Sequence, residues 1–339
     1  MTTDRTSHAH RIRQARGVRR SVGMLAVLAV AGAAAVLPAQ AEPTVEEASA
    51  KVDRLYQQAE QAQERLNDAK ERLGDLDSEV SSLSSDEKRQ NRRMNTVREQ
   101  VRDSVVRQYQ GEGVNTVGQV IVSEDPASFL AQLSTLESFN DLQDALLSGY
   151  TAEVAALDLR QEATRERRGE VKKTTKALAT EKAEVESKLA EAKKVLDGLR
   201  PAERAAIEKV KSPEAPELAD VPVSGRAKAA VSYALAQVGD RYVHGAVGPD
   251  AFDCSGLTMM AWAQAGVSLP HSSALQYAQG RKVSRNELQP GDLVFYYSPI
   301  SHVGIYIGNG KIVDAANPRT GVRVAPVFQM PFSGAVRPG

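Results

Sequence analysis

Cys254 is the only cysteine in this 339-residue chain, and it opens an apolar stretch in Phe252-Asp253-Cys254-Ser255-Gly256-Leu257. A thiol at the head of a helix has its anion stabilised by the free backbone N–H groups and the dipole there, which suits it to nucleophilic attack. A nucleophile needs a base, and His302, at the start of an apolar run, can take the thiol proton and stay as imidazolium beside the thiolate. Asp314 follows twelve residues later, across Asn309-Gly310, a dipeptide that favours a tight hairpin. Pairing around that turn brings the carboxylate to the imidazole, where it orients the ring and favours its charged form. The chemistry open to such a set is nucleophilic attack of the Cys254 thiolate on an electrophilic centre such as a carbonyl, with the Cys254 backbone N–H as an oxyanion donor. Taken singly, each residue has a plainer reading, as a small buried hydrophobe, a core imidazole and a turn residue. The set carries the chemistry.

A lone thiol is unusual in an exported protein, where cysteines pair as disulfides, yet the first 41 residues read as an export signal. Arg11, Arg13, Arg16, Arg19 and Arg20 form a positive segment, residues 22–37 an apolar one, and Ala39-Gln40-Ala41 a site for signal peptidase. The apolar run is shorter than the roughly 20 residues a spanning helix needs. Cleavage after Ala41 is therefore expected in preference to anchoring, and with it an exported protein. Lys plus Arg and Asp plus Glu are equal at 43 each, which leaves no basic excess for nucleic acid. His244, His271 and His302 follow the signal without metal-ligand spacing, and one cysteine cannot build a structural zinc site, so neither a metal nor another cofactor is expected.

Two kinds of sequence must position the thiol. From Val45 the chain runs in heptads, with Val45, Val52, Ala59, Leu66, Leu73, Val80, Met94 and Val101 at one core position and Ala48, Leu55, Ala62, Ala69, Leu76, Leu83 and Val97 at the other. This predicts a coiled coil with solvated charged flanks and a weak stretch near Glu87 and Gln90, which are polar in the seam. The pattern breaks at Gly111-Glu112-Gly113, resumes near Phe129, and runs to about Leu199 through Val171, Leu178, Val185, Leu189, Ala192 and Leu196. Two seams around a short apolar tip (117–122 and Pro126) predict an antiparallel hairpin; an intermolecular dimer satisfies the same seams. Pro213, Pro216 and Pro222 then mark a semi-rigid linker. The division is a signal peptide at 1–41, a helical hairpin at 42–205, a linker at 206–225 and a globule at 226–339. In the globule, helices at 229–238 and 255–265, stopped by Gly239 and Gly266, precede short strands at 292–297, 302–307, 311–314 and 321–325, an α+β order.

Ala234-Leu235-Ala236-Gln237-Val238-Gly239, Tyr242, Gly248-Pro249-Asp250, the Cys254 segment, Gln289-Pro290-Gly291-Asp292-Leu293-Val294-Phe295 and His302-Val303-Gly304-Ile305-Tyr306-Ile307-Gly308 together resemble the NlpC/P60 family of cell-wall cysteine peptidases. The resemblance covers residues 226–339 and implies a compact papain-like fold. It implies hydrolysis of peptidoglycan stem peptides, typically between D-isoglutamate and diaminopimelate, with Cys254 as nucleophile, His302 as base and Asp314 at a third position that is often His in the family. It also implies that Tyr242, Asp253 and Ser255 line the substrate cleft, although Asp253 and Ser255 can equally serve as a helix cap. His244-Gly245-Ala246 stands where the family often has Trp-Gly-Gly, which bears on cleft shape, and His271 is expected as a loop residue at the rim.

The helical half resembles the coiled-coil regions that precede such domains in exported, division-associated hydrolases. That implies a rod that holds the peptidase inactive, or docks it on a membrane division complex such as the FtsEX transporter. A wall amidase or acyltransferase on the same triad, and a non-catalytic wall-binding scaffold, are the alternatives.

Overall fold

The computed structural model describes residues 44–110, 126–208, 223 and 225–339. The expected signal peptide, the hairpin tip around residues 111–125 and most of the linker lie outside the described residues. Helix α1 (Val45–Tyr109) starts at a capping box, in which Thr44 Oγ1 accepts from the Glu47 N–H and the Glu47 carboxylate accepts from the Thr44 N–H. It packs along α2 (Pro126–Asp197). The two run antiparallel: Arg65 pairs with Glu181 and Glu184, Arg72 with Glu170, Glu79 with Arg167 and Gln90 with Glu153, partner numbers falling as α1 numbers rise.

The apolar seam is buried as the heptads require. Ala48, Val52, Leu55, Ala59, Ala62, Leu66 and Leu76 are buried on α1, and Leu157, Val185, Ala192 and Leu196 on α2. Gln90, one of the expected weak points, is buried but satisfied, its amide donating to the Glu153 carbonyl at 3.1 Å. Farther along the rod the seam thins, and Val105, Leu142 and Leu147 are more than half exposed. A short helix, α3 (Pro201–Glu208), runs into the range expected for the linker; its Ile207 packs with Ala48, Val52 and Leu196.

In the C-terminal region α4 (Gly225–Ala236) and α5 (Cys254–Ala263) pack together. Between them, β1 (Arg241–Tyr242) and β2 (Ala251–Phe252) form a two-residue parallel pair. After α6 (Ser273–Gln279) come β3 (Arg281–Val283), β4 (Leu293–Tyr296), β5 (His302–Gly308), β6 (Lys311–Ala315), β7 (Val322–Pro326) and β8 (Phe332–Arg337). These six strands make one antiparallel sheet in the order β3-β8-β4-β5-β6-β7. The chain is thus α+β, a long helical region followed by a helix-backed sheet.

Alternation along β5 sets up the site. Val303, Ile305 and Ile307 enter a core with Leu257, Trp262, Leu293 and Phe295, so His302 must face the other way. Asn309 and Gly310 turn the chain with φ of 51° and 69°, as a type I′ hairpin needs. With Ile305 opposite Val313, His302 and Asp314 become diagonal neighbours on one face. Gly304 keeps them close, because a Cβ there would come within 2.9 Å of Ile312 Cδ1 and 3.3 Å of Asp314 Cβ.

Candidate active site

Cys254 is the first residue of α5 and is fully buried. Asp253 precedes it in extended conformation and caps the helix, its Oδ1 accepting from the Gly256 N–H at 2.7 Å. Gly256 is required here, since a Cβ would collide with the Ala246 carbonyl and press on the Asp253 carboxylate. His302 Nε2 bonds Asp314 Oδ2 at 2.8 Å, and Asp314 Oδ1 accepts from Arg323 Nε at 3.1 Å. Arg323 reaches it because β7 pairs residue 323 with residue 314. The structure therefore brings Cys254, His302 and Asp314 together, with Arg323 behind them.

The cleft over these residues is filled by α1. Glu60 Oε1 lies 2.7 Å from His302 Nδ1. Glu64 Oε1 accepts from Ser255 Oγ at 2.7 Å and stands 3.6 Å from Cys254 Sγ, while its Oε2 accepts from the Ser273 N–H at 2.6 Å. Asn67 Nδ2 donates to Asp253 Oδ2 at 3.3 Å, and its own Oδ1 accepts from Gln63 at 2.7 Å. Asp68 accepts from Ser272 Oγ, and Glu71 from the His271 N–H at 3.0 Å. At the margin Arg319 donates to Ser49 Oγ at 3.0 Å and pairs with Asp53 at 3.2 Å.

Positions 60, 63, 64, 67, 68 and 71 form one helical stripe. Glu60, Gln63, Glu64 and Asn67 are only 6%, 4%, 3% and 1% exposed. The heptad pattern had assigned this stripe to a solvated flank. It is buried instead because the cleft supplies donors in place of water, which a carboxylate must have to leave solvent.

Electrostatics follow from that insertion. Burial first, and then the charges of Glu64 and Glu60, push the Cys254 thiol well above its ordinary range. The helix N-terminus alone predicts the opposite, and in this arrangement two carboxylates and dehydration override it. Burial disfavours the charged form of His302, but Glu60 and Asp314 outweigh it and raise the ring to about 10. Burial lifts the Glu60 carboxyl despite the opposing pull of His302, and burial together with Asp253 lifts Glu64 to about 7. Asp314, although buried, is held below its ordinary value by His302 and Arg323. These shifts favour the neutral thiol and the charged form of His302, whose Nδ1 lies against Glu60.

The remaining expected residues are also engaged or covered. Tyr242 is buried, stacks edge-on against His244 at 4.9 Å, and has a hydroxyl with no hydrogen-bond partner among the described residues. Asp253 takes its two bonds from α5 and α1, a third from the Gly245 N–H at 3.0 Å, and pairs with His271 Nε2 at 2.8 Å. His271 is thus a partner of Asp253 at the rim. Burial lowers its pKa but that pairing overrides the effect and leaves it raised. A cavity of about 960 Å³ lies beside the cleft, between Leu66 of α1, Leu178, Val185 and Leu189 of α2, and Tyr242 and His244. Glu60, Glu64, Ser273 and Arg323 were not identified from sequence. Among the described residues one group brings metal-ligating atoms together, namely Glu60, Cys254 and His302.

The NlpC/P60 family model matches residues 239–336. A probable endopeptidase of Corynebacterium glutamicum is 44% identical over 124 residues, 37% of this chain and 59% of that protein. A probable endopeptidase of Mycobacterium tuberculosis is 48% identical over 103 residues, 30% of this chain and 27% of that protein. This chain therefore spans little more than half of the first relative and about a quarter of the second. Among solved structures, the NlpC/p60 domain of the peptidoglycan hydrolase SagA is 34% identical, covering 32% of this chain and 97% of that one at a TM-score of 0.31. Over residues 239–336 this chain is an NlpC/P60 domain, carried behind a long helical region.

Proposed function

We propose that the chain is a cysteine endopeptidase of peptidoglycan, cutting stem peptides at the D-isoglutamyl–diaminopimelate bond. The observation that carries this reading is the line of buried Cys254, His302 and Asp314, backed by the partly exposed Arg323. With α1 withdrawn, His302 Nδ1 faces the thiol, takes its proton, and the thiolate attacks the scissile carbonyl. The imidazolium then protonates the leaving amine, and a water activated by the same nitrogen releases the acyl group. Asp314 fixes the ring and stabilises its charge, and Arg323 keeps that carboxylate ionised. The Cys254 N–H serves the developing oxyanion. Tyr242, Asp253 and Ser255 hold the peptide, and the unpartnered Tyr242 hydroxyl supports a role that substrate completes.

The docked helix supports a second part of the proposal, that the hairpin holds the peptidase closed in a secreted protein acting at the wall, until a partner such as a membrane division complex draws α1 away. Incubating the protein with purified wall fragments and reading new termini by mass spectrometry tests the bond. The expected product carries a new diaminopimelate amine, and Cys254→Ala yields none. Release of intact stem peptides from the sugar would replace the reading with an amidase, and binding without cleavage with a scaffold. Residues 226–339 are expected to cleave faster than 42–339; equal rates would leave recruitment as the hairpin's role.

A further inference from the structure

The docked helix brings a third ligand type to the catalytic pair. Cys254 Sγ, an imidazole nitrogen of His302 and a Glu60 carboxylate oxygen lie within 4.8 Å of one another, all buried. Because His302 Nε2 is engaged by Asp314 Oδ2, the nitrogen left for this group is Nδ1, 2.7 Å from Glu60 Oε1. A carboxylate that holds the far nitrogen of a histidine is the usual outer-shell support of a zinc ligand, fixing the tautomer and raising basicity. Here that support is itself anchored by Arg323.

We propose that Glu60, Cys254 and His302 form a zinc site that exists only while α1 is docked, and that the bound ion locks the closed form. One thiolate, one imidazole and one carboxylate match the ligand set of this borderline-soft ion, with water at the fourth position. The charges sum to zero: the thiolate and carboxylate balance the dication, and His302 is neutral. The metal-bound centre is as neutral as the imidazolium–carboxylate pair it replaces, so the ion adds no net charge to a buried site. Binding sends the Cys254 thiol proton and the proton shared by His302 and Glu60 to solvent, with no change of oxidation state.

With metal–ligand lengths of about 2.0–2.3 Å, a tetrahedral set needs its ligand atoms about 3.3–3.5 Å apart. Glu60 must therefore retreat from His302 by roughly half an ångström, and the sulfur, already within 4.8 Å of both partners, must close in by at most about 1.3 Å, which side-chain rotation supplies. A cavity of about 250 Å³ lined by Glu60, His302, Tyr297 and Arg323 gives the ion a way in. Sequence spacing could not reveal the site, since Glu60 and His302 are 242 residues apart. The lock follows from ligand count: undocking α1 leaves two protein ligands, so the ion binds the closed form more tightly and stabilises it by that difference. This consequence rests on the docked helix being the resting state; the site itself rests on geometry alone.

The test titrates the full chain with Co²⁺ as a spectroscopic probe and then displaces it with Zn²⁺. The expected result is one ion per chain, with a thiolate-to-metal charge-transfer band and the visible bands of tetrahedral Co²⁺. Glu60→Gln, nearly isosteric, should weaken Zn²⁺ binding by at least about tenfold, the lower bound typical even of an outer-shell change. Cys254→Ser, made with the helix untouched, should lose the charge-transfer band. Hydrogen exchange across residues 60–71 should slow on adding Zn²⁺ to the wild type and not to Glu60→Gln. Absence of the band, or an affinity indifferent to Glu60→Gln while residues 60–71 remain protected without metal, overturns the site. Fast exchange of those residues without metal overturns the docked resting state instead.

Discussion

Replacing Glu64 by alanine should open the cleft, and the size of the effect can be worked from its contacts. Glu64 accepts from the Ser255 hydroxyl at 2.7 Å and the Ser273 N–H at 2.6 Å. In the open form both donors meet water, so the loss falls on the closed form alone. Each buried donor left unpaired costs roughly 1–3 kcal/mol. Burial and Asp253 raise the Glu64 carboxyl to about 7, so dehydration already offsets part of what the bonds contribute. The low end of the sum is then expected, about 2 kcal/mol, which multiplies the open fraction about thirtyfold. Cys254 is the sole cysteine, so alkylation by iodoacetamide reports the open fraction without a substrate or an added label. The alkylation rate should rise about thirtyfold in Glu64→Ala, and less in Glu64→Gln, whose amide oxygen still accepts one bond. An unchanged or slower rate in Glu64→Ala would show that the stripe does not hold the cleft shut.

Arg319→Ala removes a contact at the margin whose partner Asp53 is about half exposed. It should shift closure by no more than about 1 kcal/mol, and alkylation by at most about fivefold. Arg323→Leu leaves buried Asp314 with His302 as its one charged partner among the described residues, so wall-fragment cleavage should fall about tenfold or more, the equivalent of roughly 1.4 kcal/mol, with partial rescue by Arg323→Lys; full activity in the leucine variant would remove Arg323 from the proposed line. Gly256→Ala drives a methyl into the Ala246 carbonyl. It should destabilise the fold by about 1–3 kcal/mol, lowering Tm in calorimetry by at least about 4 °C; an unchanged Tm would mean the backbone there adapts freely.

The parts of the fold that were legible in the sequence are those set by local rules. Apolar spacing of seven placed the α1 seam from Ala48 to Leu76, and Asn309-Gly310 set the turn that aligns His302 with Asp314. Asp253 was readable as a cap because capping is decided within three residues. Short elements escaped: β1, β2 and β3 have two or three residues each, too few for a period to register. The polar stripe escaped for another reason. Glu60, Gln63, Glu64, Asn67 and Glu71 repeat with helical spacing, but the same pattern describes a solvated flank. Only the partner surface, nearly 200 residues away for Glu64 and Cys254, decides between water and a cleft. Arg323 was similarly invisible until register set it opposite Asp314.

Seam and stripe are interleaved on one helix, Ala59 beside Glu60, Ala62 beside Gln63, Leu66 beside Asn67, each neighbour about 100° around the axis. Helix α1 therefore cannot roll its carboxylates out of the cleft without dragging its apolar edge off α2. Small torques along the rod meet stiffness from both faces, and a load large enough to break one set of contacts breaks the other with it. From Glu71 to Tyr109 the same helix extends about 57 Å at 1.5 Å per residue. A pull at that distance acts with the leverage of a long arm on a short latch. Under the proposed closure, such an arrangement would resist weak and fluctuating forces and yield to a sustained one in a single step.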